Sequence, residues 1–147
     1  MGVIAQVAKK EAVAELSGIS FKHVNLMGDG DCFWRSYIYL MSKLGINVKD
    51  MFSLNTEKVA GVWMKSEELM TWCCGVEDLI DVLKDDFLNT KKSSVADLTM
   101  LYLAEMFNTS ITLYSTTIGV VIFGDNKKNN VSIHHYDCHY TPIVAFQ

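Results

Sequence analysis

The spacing of apolar residues predicts that the first two thirds of the chain are mostly helical. Apolar positions recur every three or four residues over 2–17, and Gly18 follows as a helix stop. Residues 32–44 are apolar over so wide an arc that a helix there is expected to be buried on most sides. Residues 76–88 form a clearer amphipathic helix, whose charged side chains are expected to face solvent.

Two more helices are indicated by weaker patterns. Residues 56–74 have a spacing that is helix-like but ambiguous. Farther along, a polar loop over 91–94 ends in Ser94, and Asp97 follows three positions later, which resembles a capping box. A helix over 95–107 is therefore expected.

Strands are predicted before Cys32 and in the last third of the chain. Residues 19–27 alternate weakly and predict an extended entry into a Gly-Asp-Gly turn, and β-branched and aromatic residues concentrate in four later runs. These runs are residues 111–114, 119–123, 131–136 and 140–146, with a polar turn at 124–130. The whole pattern predicts one α+β domain over residues 1–147, with a helical body packed on a small, mainly antiparallel sheet.

Composition narrows the class of protein. The 147 residues are the size of one ordinary domain, and the net charge of −4 argues against nucleic acid as the main partner, since phosphate binding needs a basic surface. No apolar run is long enough to cross a membrane, and the first residues lack the apolar core of a signal peptide. We therefore expect a protein that binds no membrane; we also expect it to be cytoplasmic and a monomer.

The chain has four cysteines, which are Cys32, Cys73, Cys74 and Cys138. Two of them are adjacent, and the chain is not cysteine-dense as small secreted domains are, so reduced thiols are expected. A zinc site that combines cysteines with the histidines is an alternative. It is disfavoured because no Cys-x-x-Cys spacing appears, and we expect neither a metal nor another cofactor.

Cys32 lies where a predicted helix begins, directly after a turn with two glycines. The unpaired N–H groups and the dipole of a helix N-terminus favour a thiolate, which is the reactive form of cysteine. The glycines allow a tight turn whose exposed N–H groups suit the oxyanion of a tetrahedral intermediate. These features are typical of a nucleophile, although a lone cysteine at a helix start is more often a small buried residue.

A nucleophilic cysteine needs a base, and three of the four histidines cluster near the C-terminus at positions 134, 135 and 139. His139 precedes a predicted strand, which would mount an imidazole rigidly. Asp29, three residues before Cys32, is a candidate for orienting that imidazole. A histidine near a strand end is also commonly structural, so spacing alone leaves both interpretations open.

The segment Gly-Asp-Gly-Asp-Cys-Phe-Trp-Arg-Ser, residues 28–36, resembles the nucleophile motif of the ovarian tumour (OTU) family of cysteine proteases. That motif runs Gly-Asp-Gly-Asn-Cys, then two large apolar residues and a basic or small polar one, so Asp31 replaces the commoner Asn. The Cys-Phe-Trp form looks most like the OTU-type proteases encoded by RNA viruses. The segment His-Tyr-Thr-Pro-Ile, residues 139–143, is similar to the family's second motif. The resemblance spans most of the chain from residue 20 onward.

This resemblance implies a papain-related, OTU-like fold and hydrolysis of the bond after the C-terminal glycine of ubiquitin or a ubiquitin-like modifier. Carried over by position, Cys32 is the nucleophile and His139 the general base. Many members place Asp or Asn two residues after the histidine, where this chain has Thr141; others use an acid that Asp29 matches. The oxyanion hole is implied to be formed by the backbone N–H groups of Gly30, Asp31 and Cys32.

Several alternatives remain. The segment His135-Tyr136-Asp137 also fits a histidine-aromatic-acid pattern, which makes His135 an alternative base. A viral protease that cuts its own polyprotein would use the same catalytic residues, in the host cell cytoplasm. A binding domain for ubiquitin that has lost the chemistry is the non-enzymatic alternative.

Overall fold

The computed structural model describes residues 10–26 and 30–147, in which a six-stranded sheet packs against helices. The strands are β1 (Lys10–Leu16), β2 (Ile19–Asn25), β3 (Thr109–Ser115), β4 (Gly119–Phe123), β5 (Asn129–Tyr136) and β6 (His139–Phe146). The α-helices are α1 (Cys32–Lys43), α2 (Thr56–Lys65), α3 (Glu67–Trp72), α4 (Val76–Leu88) and α5 (Asp97–Phe107), with a 3₁₀ turn at Lys49–Phe52.

The order of strands across the sheet is β1-β2-β6-β5-β3-β4. Neighbours are antiparallel except β3 and β5, which are parallel. The predicted α+β class, with helices packed on a mainly antiparallel sheet, is confirmed. The order also places β2, which directly precedes the glycine-rich turn, beside β6, which begins at His139.

The helix predicted over 2–17 is wrong where the structure describes it, because Lys10–Leu16 is a strand paired with β2. The two strands are joined by Ser17 and Gly18, which have φ angles of 52° and 82°. Left-handed φ at both central residues is typical of the type I′ turn that joins twisted strands. Residues Lys10–Leu16 therefore form a strand, because pairing with β2 along seven positions stabilises it more than their helical spacing stabilises a helix. The part of that prediction over 2–9 lies outside the described residues.

Other predicted elements are confirmed. The extended segment predicted from residue 19 is β2, and the helices predicted over 32–44 and 76–88 are α1 and α4. The ambiguous segment 56–74 consists of two helices that meet at Ser66, whose hydroxyl accepts the Leu69 N–H and caps α3.

The predicted capping box at the start of α5 is wrong. The N-cap position is Ala96, and no side chain of that segment caps the helix. Instead, Asp86 of α4 accepts the Ala96 N–H at 2.8 Å and the Thr99 hydroxyl at 2.6 Å. Asp85 is exposed, as predicted for the charged side of α4. Asp86 is buried and accepts these hydrogen bonds from the start of α5.

The core lies between one face of the sheet and the helices. Apolar side chains of the sheet that join it include Ile111, Leu113, Val131, Ile133 and Tyr140. Helix α1 packs on β6, and the Ser36 hydroxyl donates to the Tyr140 carbonyl at 3.2 Å. The start of α1 is therefore held beside the start of β6. No helix among the described residues combines the length and apolarity needed to span a membrane.

Candidate active site

Cys32 is the first residue of α1, and the turn before it fits only glycine at position 30. Gly30 has a φ angle of 90°, and a Cβ built there would lie 2.7 Å from the Lys91 carbonyl oxygen. Both the left-handed backbone and the close approach exclude a side chain. The loop that follows α4 thus packs directly against Gly30.

Asp31 forms an ion pair along the first turn of α1. The Arg35 Nε atom lies 3.0 Å from each carboxylate oxygen of Asp31. Because the carboxylate is engaged with Arg35, it does not cap the helix. The first turn of α1 therefore has an ion pair in place of a side-chain cap.

The Cys32 thiol is buried and accepts a hydrogen bond from the N–H of Tyr140 at 3.3 Å. A donor aimed at sulfur stabilises negative charge on it. Tyr140 is held in turn by its hydroxyl, which accepts the Val95 N–H at 3.3 Å, and burial raises the pKa of Tyr140 to about 12. Sequence analysis missed this contact because a backbone N–H leaves no trace in the residue type.

His139 precedes Tyr140 and is oriented by Asn25, the last residue of β2. The Nε2 atom of His139 lies 3.2 Å from the Asn25 amide oxygen. Because this oxygen can only accept, Nε2 is the protonated ring nitrogen, and the free electron pair of the neutral imidazole is on Nδ1. Asn25 was not predicted as a site residue; its only signal is its position at a strand end just before the glycine-rich turn.

Thr141 lies two residues after His139, where the OTU motif often has Asp or Asn, but it does not orient His139. Its hydroxyl lies 2.8 Å from Nδ1 of His23. Burial, followed by the proximity of His139, lowers the pKa of His23. Both effects disfavour the charged form of His23.

His135, the alternative base, occupies a different environment. Its ring stacks on Tyr140 with centroids 4.4 Å apart, and its Nδ1 lies 3.2 Å from the Ser115 hydroxyl. Burial lowers its pKa, and its Nε2 is buried with no partner among the described residues. The strand register pairs His135 with Tyr140 and Tyr136 with His139. Because adjacent residues of a strand point to opposite faces, His135 and His139 lie on opposite faces of the sheet. The choice of His139 over His135 stays a prediction.

Asp29 lies outside the described residues, as does Gly28, so the role predicted for Asp29 stays a prediction. The oxyanion hole assigned to the N–H groups of Gly30, Asp31 and Cys32 also stays a prediction.

All four cysteines are free thiols. No group of three or more potential metal ligands lies together in the described part of the chain.

Solved structures that are similar to this chain include two ovarian tumour (OTU) domains. An ovarian tumour domain solved in complex with ubiquitin has a TM-score of 0.58 at 14% sequence identity, over 92% of this chain and 76% of that one. This chain has an OTU-like fold. The viral OTU domain protease from Farallon virus has a TM-score of 0.49 at 16% identity, over 91% of this chain and 89% of that one. No protein-family model and no curated protein sequence matches the chain.

The OTU-like fold predicted from the two short motifs is therefore confirmed. It accounts for the arrangement of the site, in which a helix start from the first third of the chain meets a strand start from the last tenth. The low identity means that the fold is shared while most side chains differ.

Proposed function

We propose that this protein is a cysteine protease that hydrolyses the bond after the C-terminal glycine of ubiquitin or a ubiquitin-like modifier. The observation that carries the proposal is the hydrogen bond from the Tyr140 N–H to the Cys32 sulfur. It ties the start of β6, with His139 as its first residue, to the start of α1. A thiol at a helix N-terminus, a backbone donor on its sulfur and an oriented imidazole next in the chain are the parts that thiol hydrolysis needs.

In the first half of the reaction, the Cys32 thiolate attacks the carbonyl carbon of the terminal glycine and a C–S bond forms. The carbonyl oxygen becomes an oxyanion, which the N–H groups of Gly30, Asp31 and Cys32 stabilise. Protonated His139 gives its proton to the departing amine, the C–N bond breaks, and a thioester remains.

In the second half, neutral His139 takes a proton from water, and the water oxygen attacks the thioester. The C–S bond breaks, the carboxylic acid product leaves and gives its proton to solvent, and Cys32 and His139 return to the thiolate and imidazolium forms. Asn25 keeps the ring in one orientation through both halves, which is the role that a third group has in such sites.

Ubiquitin is proposed as the substrate because the similar OTU domain was solved with ubiquitin bound. The Cys-Phe-Trp form of the first motif, which looks most like the OTU-type proteases encoded by RNA viruses, supports a viral source. We propose that the protein acts in the host cytoplasm as a monomer. Cleavage of a viral polyprotein by the same residues is the alternative substrate assignment.

A test is the hydrolysis of a fluorogenic amide at the C-terminus of ubiquitin by the wild type and by Cys32→Ala. We expect turnover by the wild type and none above background by the variant. Cys74→Ala is a matched control, since this cysteine is exposed between α3 and α4 and its loss should leave turnover unchanged. Turnover that persists in Cys32→Ala would exclude the proposed nucleophile.

A further inference from the structure

The segment 89–96, between α4 and α5, contacts two neighbours of the candidate nucleophile, Gly30 and Tyr140. The Lys91 carbonyl packs against Gly30, where even a Cβ would not fit. At the other end, the Val95 N–H donates to the hydroxyl of Tyr140, whose own N–H donates to the Cys32 sulfur. The segment is therefore in a position to fix both the turn before Cys32 and the donor on its sulfur.

A buried carboxylate holds this segment in place. Asp86 is 2% exposed, and its two carboxylate oxygens accept hydrogen bonds from different groups. One accepts from Lys92 Nζ at 2.7 Å, within the segment. The other accepts the Ala96 N–H and the Thr99 hydroxyl, at its end. A buried charge with a charged partner and two further donors holds those donors firmly, because releasing any one would leave the carboxylate undercompensated.

Lys92 is bound on a second side by Asp85, at 2.5 Å. Hydrogen bonds with Asp85 and then Asp86 raise the pKa of Lys92, so the ammonium stays charged. The two aspartates differ in exposure: Asp85 is open to solvent, whereas Asp86 is enclosed. Of these two contacts of Lys92, the one with Asp86 links it to the start of α5.

We propose that the Asp86–Lys92 ion pair is a positioning device for the nucleophile, acting through segment 89–96 on Gly30 and Tyr140. Both residues are positioning residues, since neither touches Cys32. The inference rests on the proposed function, which makes Cys32 the reacting group. When the ion pair is released, the Lys91 carbonyl moves away from Gly30 and Tyr140 loses its support, so the thiolate and its surrounding N–H groups lose their arrangement.

Asp86→Asn separates this role from stability. The amide oxygen still accepts from Ala96 and Thr99, while the amide N–H₂ replaces the acceptor of Lys92. We expect about a tenfold fall in kcat on the fluorogenic ubiquitin substrate with KM unchanged, because a misplacement near 1 Å is costly for chemistry and Asp86 is too enclosed to meet substrate. Lys92→Met should lower kcat similarly, and the double variant should be no worse than either single one.

Three matched controls accompany these variants. Asp85→Asn removes the exposed partner of Lys92 and should leave kcat unchanged. Thr99→Val removes a hydrogen bond to Asp86 without touching Lys92, and should lower the melting temperature but not kcat. Lys127→Met breaks the ion pair of Lys127 with Glu105, formed between α5 and the turn after β4, and should also spare kcat.

A second readout does not depend on ubiquitin. The rate of Cys32 alkylation by iodoacetamide, followed by mass spectrometry from pH 6 to 9, should fall several-fold in Asp86→Asn and Lys92→Met and remain at the wild-type value in the controls. If the wild type alkylates normally but does not cleave ubiquitin, the proposed substrate fails while the positioning role stands. Equal alkylation rates in the wild type and Asp86→Asn, or a kcat loss in Thr99→Val as large as in Asp86→Asn, would overturn the inference.

Discussion

The Nε2 atom of His139 lies 3.2 Å from the Oδ1 atom of Asn25, across the pairing of β2 with β6. This contact fixes the tautomer of the imidazole and leaves Nδ1 as its basic atom. The orienting group thus comes from the strand that precedes the glycine-rich turn. Residue 141, two positions after the histidine, is instead a threonine bonded to His23.

The first prediction concerns Asn25. Asn25→Ala should lower kcat for ubiquitin cleavage about 10²-fold, because an imidazole free to rotate is misplaced for proton transfer. Asn25→Asp keeps an acceptor for Nε2 and should retain most of the activity. The measurement is the steady-state rate with the fluorogenic ubiquitin substrate.

Asp29→Ala belongs to the same experiment, since Asp29 was predicted to orient the base. We expect a smaller loss in Asp29→Ala than in Asn25→Ala. If Asp29→Ala abolishes turnover and Asn25→Ala does not, the orienting role belongs to Asp29.

The second prediction separates the two candidate bases. His139→Ala should lower kcat by about 10²–10⁴-fold, the usual range for loss of a general acid–base. His135→Phe keeps an aromatic ring against Tyr140 and removes a buried Nε2 that has no partner in the described part of the chain, so it should stay within a few-fold of the wild type. The opposite ranking of these two rates would move the base to His135.

The third prediction tests the glycine at position 30. Gly30→Ala places a Cβ 2.7 Å from the Lys91 carbonyl oxygen at a φ angle of 90°, so both sterics and backbone oppose it. We expect near-complete loss of activity and a fall of about 1–3 kcal/mol in the free energy of unfolding.

Gly18→Ala is its matched control. Gly18 has a φ angle of 82°, but a Cβ there would meet nothing within 4 Å. This variant should lose stability through backbone strain alone and keep wild-type kcat, as measured by denaturant unfolding and by turnover. A kcat loss in Gly18→Ala equal to that in Gly30→Ala would remove the argument from the Lys91 contact.

The fourth prediction concerns acid stability. Burial, with smaller effects of His23 and His135, lowers the pKa of His134 from 6.5 to about 4. The unfolded chain binds a proton at higher pH than the folded chain, so the contribution of neutral His134 to stability is complete above pH 6.5 and is lost as the pH falls toward 4. Between pH 7 and pH 5 the free energy of unfolding should fall by about 2 kcal/mol through this residue.

His134→Phe checks this assignment by urea unfolding at both pH values. The ring stack on Tyr136 is preserved, and the pH-dependent loss should shrink by about 2 kcal/mol. His23 and His135, whose pKa values burial also lowers, would account for what remains. An unchanged loss would show that His134 is not the group that takes up the proton.

Local patterns predicted the elements that their own residues identify. Helix α4 has an apolar face that is buried in the structure, and the strands of the last third are rich in β-branched and aromatic residues. The first hairpin was mistaken for a helix because Lys10–Leu16 becomes a strand only by pairing with β2. Spacing within one segment does not reveal that partner.

The site was predictable in part for the same reason. Cys32 and His139 stand in short motifs, so the sequence alone proposes them as nucleophile and base. Asn25 contacts His139 from far away in the chain, and Asp86 contacts the start of the next helix, so neither contact follows from the pattern of one segment. Contacts from other segments that position a reactive group cannot be predicted from the pattern of one segment.

The most direct measurement is the reaction of the wild-type protein with ubiquitin whose C-terminus carries a propargylamide. The proposed function predicts a stable adduct of one ubiquitin per chain, mapped by mass spectrometry to the Cys32 sulfur, and no adduct with Cys32→Ala. An adduct on another cysteine, or no adduct with a folded wild type that alkylates normally at Cys32, would contradict it.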